Sequence, residues 1–241
     1  MSSSTAAAPF LKSSGRPLFI IQNDSRVPAG LIPEQLARHR LPFRLLRPAD
    51  GEPLPAVEEA AGVIVLGGVM GAAEEERYPY LREVKRLMGE CVAGELPLFG
   101  ICLGGQLLSQ VLGLPVLSGT RGEKGLCRVS LTPEGARDPL FRGIAREFST
   151  FQWHDDSFDL PEGCRLLASS PRCPQQAIRF GAAAYGVQFH PEVTGEIVAS
   201  WSGEGDGEPG FAADFRRAEE ECRAGARILL DNFFRIAALI P

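Results

Sequence analysis

Histidine is scarce in this chain: its 241 residues include only His39, His154 and His190. Any site built on imidazole has few places to be. Cysteine occurs six times (Cys91, Cys102, Cys127, Cys164, Cys173 and Cys222), never as a C-x-x-C pair. Scattered thiols of that kind argue against a disulfide framework or a local zinc knuckle, and for reduced thiols in a cytoplasmic setting. No apolar run approaches the roughly 20 residues that span a bilayer, so no membrane helix is expected. Lysine and arginine form no cluster against a net charge of −5, which disfavours nucleic acid and anionic membrane as partners. A G-K-[S/T] phosphate loop and a G-x-G-x-x-G between strand and helix are also missing. What is there, 44% hydrophobic and 23% charged, is the composition of a globular enzyme with a core of its own.

Met1 to Arg16 is rich in Ser and Ala, lacks acids, and reads as a disordered tail. Residues 17–241 read as one domain. Strands are expected at 18–21, 43–47, 62–66, 97–101, 126–131, 165–169, 176–180 and 185–189. Helices are expected at 33–40, 80–93, 104–112, 194–201 and 212–238. Alternation in the first half predicts an α/β fold: a doubly wound, mostly parallel sheet with helices on both faces. The strands crowded between 115 and 189 predict an antiparallel excursion from it. Ser202–Gly210 reads as a flexible acidic loop. Beyond it, Phe211, Phe215, Ala218, Cys222, Ala226, Leu229, Phe233 and Ile236 form one apolar stripe on an amphipathic helix over about 211–240. That helix is expected to pack on the domain, with docking of a partner as the lesser reading.

The densest chemical signal is Gly100-Ile101-Cys102-Leu103-Gly104-Gly105-Gln106. An apolar strand enters it, and apolar residues at helical spacing leave it. The glycines give room for a strained strand-to-helix elbow, the cysteine counterpart of the G-x-S-x-G turn. Such a cysteine points into a cleft, and it sits at a helix N-terminus, where aligned peptide dipoles favour an anion. Free cysteines are otherwise mostly small buried hydrophobes. A second segment tips the balance: the apolar strand through Phe189 ends abruptly in His190-Pro191-Glu192, because proline cannot donate to a sheet ladder. Ligands and catalytic groups of α/β proteins gather at strand ends. His190 suits the base that a thiol nucleophile needs. Glu192, two residues on in extended chain, suits the acceptor that orients the imidazole.

Together these motifs resemble those of the class I (triad) glutamine amidotransferases, and the resemblance covers roughly residues 17 to 201. It implies a flavodoxin-like fold and a Cys102–His190–Glu192 triad. Cys102 would attack the carboxamide of glutamine, ammonia would leave, and water would hydrolyse the thioester. Gly67-Gly68, after the apolar strand Gly62–Leu66, would supply the oxyanion loop, with Gly68 and Leu103 giving the two N–H donors and Gly67 lying against substrate. Gln106 would also contact the bound glutamine. Phe151-Gln152-Trp153-His154-Asp155-Asp156-Ser157-Phe158 reads as a functional loop more than a strand. It resembles the segment of stand-alone and GMP-synthase-type members that covers the active site, which makes Trp153 and His154 substrate-binding candidates. No second His or Cys stands at ligand spacing from His154, so neither a metal nor another cofactor is expected. The chain departs from the family where Gly105 replaces a frequent His and Val69 a frequent Pro.

His39, in a polar helical stretch, is expected at the surface. About fifty residues follow Glu192, too few for a synthetase domain of its own. The acceptor of the ammonia is therefore expected on a separate synthetase or acceptor subunit; oligomeric state is left open. Two other readings use the same residues: a hydrolase of γ-glutamyl peptides or conjugates, and a non-catalytic binding module. An intact Cys-His-Glu set gives the last little reason to exist.

Overall fold

Leu18, Phe19, Ile20 and Ile21 are all buried, which only a strand covered on both faces permits. This strand, β1 (Leu18–Ile21), alternates its side chains between two cores. Leu18 and Ile20 join the layer containing Leu31, Leu36, Leu229 and Phe233. Phe19 and Ile21 join the layer containing Leu81, Val84, Leu87 and Leu107. Helices thus cover both faces, as the alternation of strand and helix predicts.

The protein is described from a computed structural model, which covers residues 15–203 and 210–241. The expected N-terminal tail and the acidic stretch at 204–209 lie outside the described residues. The strands are β1, β2 (Phe43–Leu46), β3 (Gly62–Val65), β4 (Leu98–Ile101), β5 (Val116–Leu117), β6 (Glu123–Leu131), β7 (Glu147–His154), β8 (Ser157–Phe158), β9 (Arg165–Ser169), β10 (Ala177–Phe180) and β11 (Ala184–Val187). The helices are α1 (Leu31–Arg38), α2 (Tyr80–Ala93), α3 (Leu103–Val111), α4 (Gly195–Gly203) and α5 (Gly210–Ile236).

Nine strands form one sheet in the order β2-β1-β3-β4-β11-β10-β9-β6-β7. The first five pair in parallel, and the remainder form the antiparallel excursion. A two-stranded ribbon, β5 with β8, stands apart.

Two expectations are corrected. Residues 151–158 are not one loop: 151–154 end β7, which pairs with β6 from Glu147↔Ser130 to His154↔Glu123, and 157–158 form β8. Eight paired residues outweigh the local polarity of the segment. His39 is not free at the surface but half-buried, with Nε2 2.8 Å from Asp231 Oδ1 and its ring edge-on to Phe234. The stripe on α5 does pack inward: Leu229 and Phe233 enter the core, while Phe215 meets Phe151 edge-on.

Candidate active site

β4 and β11 are adjacent and parallel, so whatever follows each emerges on the same edge of the sheet. Cys102 follows β4 and His190 follows β11. The Cys102 N–H donates to the Val187 carbonyl at 2.8 Å, which ties the two exits together. His190 N–H in turn donates to the Phe151 carbonyl at 2.9 Å, so β7 grips the histidine from the other side.

Cys102 has φ +51° and ψ −107°, a conformation that side-chain-bearing residues rarely adopt. The turn is tight on both flanks. A Cβ on Gly100 would lie 2.4 Å from the Gly104 carbonyl oxygen, and one on Gly104 would lie 2.1 Å from that of Val65. Only glycine fits either place, as the elbow reading requires.

His190 Nδ1 lies 2.7 Å from Glu192 Oε1, with the side chains 3% and 0% exposed. Burial alone would pull the imidazole pKa down. The charge of Glu192, together with the charge and hydrogen bond of Cys102, outweighs it and raises His190 to about 10. Gly67 packs against both partners: a Cβ there would be 3.1 Å from the His190 ring and 3.6 Å from Cys102 Cβ. Glu192 is itself anchored through its backbone. Leu31 N–H donates to its carbonyl at 2.8 Å, and Gly30, at φ +50°, leaves no room for a side chain beside that oxygen.

These groups border a cleft of about 470 Å³ shared by Cys102, His190, Gly68, Gln106, Trp153 and Trp201. That volume lies within the usual range for small-molecule sites. Leu103 begins α3, where backbone N–H groups have no intrahelical acceptor. Gln106 donates to the Asp156 carbonyl at 3.2 Å. Trp153 turns toward the cleft and stacks on Phe151, with ring planes 13° apart. His154 points the other way, as strand alternation demands. The residue still borders the cleft, but its ring is 1% exposed and faces Glu123.

A family model for class I glutamine amidotransferases matches residues 35–198. The chain belongs to that family. It is 34% identical over 152 residues to the amidotransferase-like protein YfeJ of Salmonella typhimurium, spanning 61% of this chain and 64% of that one. It is 33% identical over 144 residues to a glutamine-hydrolysing GMP synthase subunit of Methanocaldococcus jannaschii, spanning 59% of this chain and 70% of that one. The match to the corresponding protein of Thermococcus kodakarensis spans 52% of that relative. The chain thus covers less than two thirds of the length of several curated relatives. Among solved structures, a glutamine amidotransferase from Thermotoga maritima superposes with a TM-score of 0.83 at 30% identity, over 92% of this chain and 98% of that one.

The Gly105 departure from the family pattern has a steric counterpart. A Cβ there would sit 2.8 Å from the Val187 carbonyl oxygen, so α3 lies closer to β11 than a larger residue allows. Val69, at the other departure, is 55% exposed beside the cleft.

Several residues of the site escaped sequence reasoning. Asp24 accepts from the Arg26 backbone at 2.8 Å and from its guanidinium at 2.9 Å, and also from the Val69 N–H. It thereby fixes the loop after β3 to the loop after β1. Burial pushes the Asp24 carboxyl up, but these bonds and the Arg26 charge leave it below its ordinary value. Gln188 Nε2 reaches within 3.6 Å of Cys102 Sγ. Trp201 sets its ring 5.0 Å from that of His190, edge to face. Gln188 alone carried a signal, standing two residues before His190 and so on the same strand face. Among the described residues no helix is long and apolar enough to cross a membrane.

Proposed function

We propose that this chain hydrolyses the side-chain amide of glutamine through a cysteinyl thioester and releases ammonia. The observation that carries the reading is the strained Cys102 elbow, fixed through its own N–H to the strand end that presents the buried His190–Glu192 pair. Cys102 Sγ attacks the carboxamide carbon with the transferable proton held on His190. His190 then gives that proton to the departing nitrogen as the C–N bond breaks, and ammonia leaves. Water, deprotonated by His190, attacks the thioester, and the C–S bond breaks to give glutamate and restore the thiol. Glu192 holds the imidazole in one tautomer and balances the imidazolium. The Gly68 and Leu103 N–H groups receive the oxyanion of each tetrahedral intermediate. Gly67, Gln106 and Trp153 wall the substrate.

Residues 17–241 act in this reading as one domain, in the cytoplasm, where the six free thiols stay reduced. Similarity to glutamine-hydrolysing subunits of GMP synthases supports a separate synthetase or acceptor protein that consumes the ammonia. The test is release of ammonia and glutamate from glutamine by the purified chain, with γ-glutamyl dipeptides assayed alongside and Cys102→Ser as control. Glutamine turnover that vanishes in the control supports the reading. Turnover confined to γ-glutamyl dipeptides replaces it with a hydrolase.

A further inference from the structure

Behind the cleft wall, strand pairing and one loop bring together three side chains that the glutamine chemistry does not use. Glu123 and His154 are register partners on β6 and β7, so their side chains share a face. Cys173 comes from the loop between β9 and β10. One ligand atom from each lies within 4.8 Å of the other two, and all three residues are buried.

The hydrogen bonds assign the protons. His154 Nδ1 lies 2.8 Å from the Asp156 carbonyl oxygen, which can only accept, so Nδ1 carries the hydrogen. His154 Nε2 is then left with its lone pair. That atom is buried and has no hydrogen-bond partner among the described residues. Glu123 Oε2 stands 3.7 Å from it, near the separation of about 3.4 Å between two ligands of a tetrahedral zinc ion.

From this arrangement we propose a zinc-class divalent metal site formed by Glu123, His154 and Cys173. Each ligand already has the outer partner that such ligands keep. Asp156 O holds the His154 ring, and Ser170 Oγ donates to Glu123 at 2.8 Å. Gln176 Nε2 donates to Glu123 Oε2, the oxygen that faces His154, and Ser157 Oγ lies 3.2 Å from Cys173 Sγ. Imidazole, thiolate and carboxylate together suit zinc better than magnesium or calcium. A divalent ion also neutralises a buried carboxylate and thiolate, whose charges would otherwise be costly there. The thiol proton leaves to solvent as the S–metal bond forms. The ion would pin the end of β7, the turn after it and the 170–176 loop together under the wall of the cleft.

The experiment is metal analysis of the untagged chain, followed by chelator stripping and titration with Zn²⁺ and Co²⁺. Wild type, Cys102→Ser, Cys173→Ser and His154→Gln are compared. About one metal per chain is expected in wild type and Cys102→Ser, falling to near zero in the other two. Cobalt should give a thiolate charge-transfer band in wild type and Cys102→Ser, which decides the matter even where a Cys173 or His154 variant folds poorly. A chain without metal or band overturns the site. Metal lost in Cys102→Ser but kept in Cys173→Ser also overturns it, placing the ion in the cleft instead. None of these readouts depends on glutamine turnover, so the metal site can fail while the proposed activity stands.

Discussion

The backbone N–H of Cys102 and the carbonyl of Val187, 2.8 Å apart, join the two exits from which the site is built. Val187 lies three residues before His190, so Cys102 and His190 share one rigid frame. A hydrogen bond between neighbouring parallel strands thus sets the relative position of two side chains 88 residues apart in sequence.

If Cys102 is the nucleophile, Cys102→Ala should abolish ammonia release, by about 10³-fold or more. The fold should persist, since the surrounding structure already holds the left-handed turn. An electrophilic glutamine analogue should add to the wild-type mass and leave the variant unmodified. Equal labelling of both would move the chemistry to another thiol.

The His190 imidazole, raised from 6.5 to about 10 by Glu192 and Cys102, binds a proton more tightly folded than unfolded. Its contribution to stability is complete below about pH 6.5 and is lost as pH rises toward 10. Urea midpoints across that window should fall for wild type and fall less for Glu192→Gln. The same substitution should lower glutamine turnover by about 10²–10⁴-fold, through loss of the imidazole's orientation.

Two glycine substitutions should have opposite signs. Gly104→Ala places a Cβ 2.1 Å from the Val65 carbonyl oxygen and should cost about 2–4 kcal/mol, with loss of activity. Gly225→Ala, within α5 and facing open space, should stabilise by roughly 0.5–1 kcal/mol, with activity unchanged. Denaturant midpoints and glutamine turnover of both variants test the pair.

Asp24→Asn should weaken the clamp on the loop after β3. The cost at neutral pH should be about 1–3 kcal/mol, with a rise in KM for glutamine. Because the Asp24 carboxyl lies below 3.8, its contribution is present above that pH and disappears as pH falls through the folded value. The stability gap between wild type and Asp24→Asn should therefore narrow in acid.

The elbow and the His-Pro-Glu strand end were legible in the sequence because each is a local pattern. Glycines around one cysteine and the short His190-Pro191-Glu192 run both act within a few residues, although β11 itself ends at Val187, before the Phe189 expected. The parallel half of the sheet was legible for a similar reason, since strands such as Leu18–Ile21 are continuous apolar runs flanked by helical periodicity. By contrast, β7 was misread. Glu147–His154 mixes aromatics with polar residues, and only its pairing with β6 makes a strand of it.

The sequence by itself determined the fold class, the elbow cysteine and the pairing of His190 with Glu192. Local sterics and hydrophobic periodicity suffice for those. Tertiary structure alone decided that Asp24 clamps the loop after β3, that Trp201 covers His190, and that the His154 ring meets Glu123 and Cys173. These contacts join residues from separate elements, and strand register and loop packing fix which of them meet. That information resides in the hydrogen-bonded sheet and its packed layers, not in the spacing of residues along the chain.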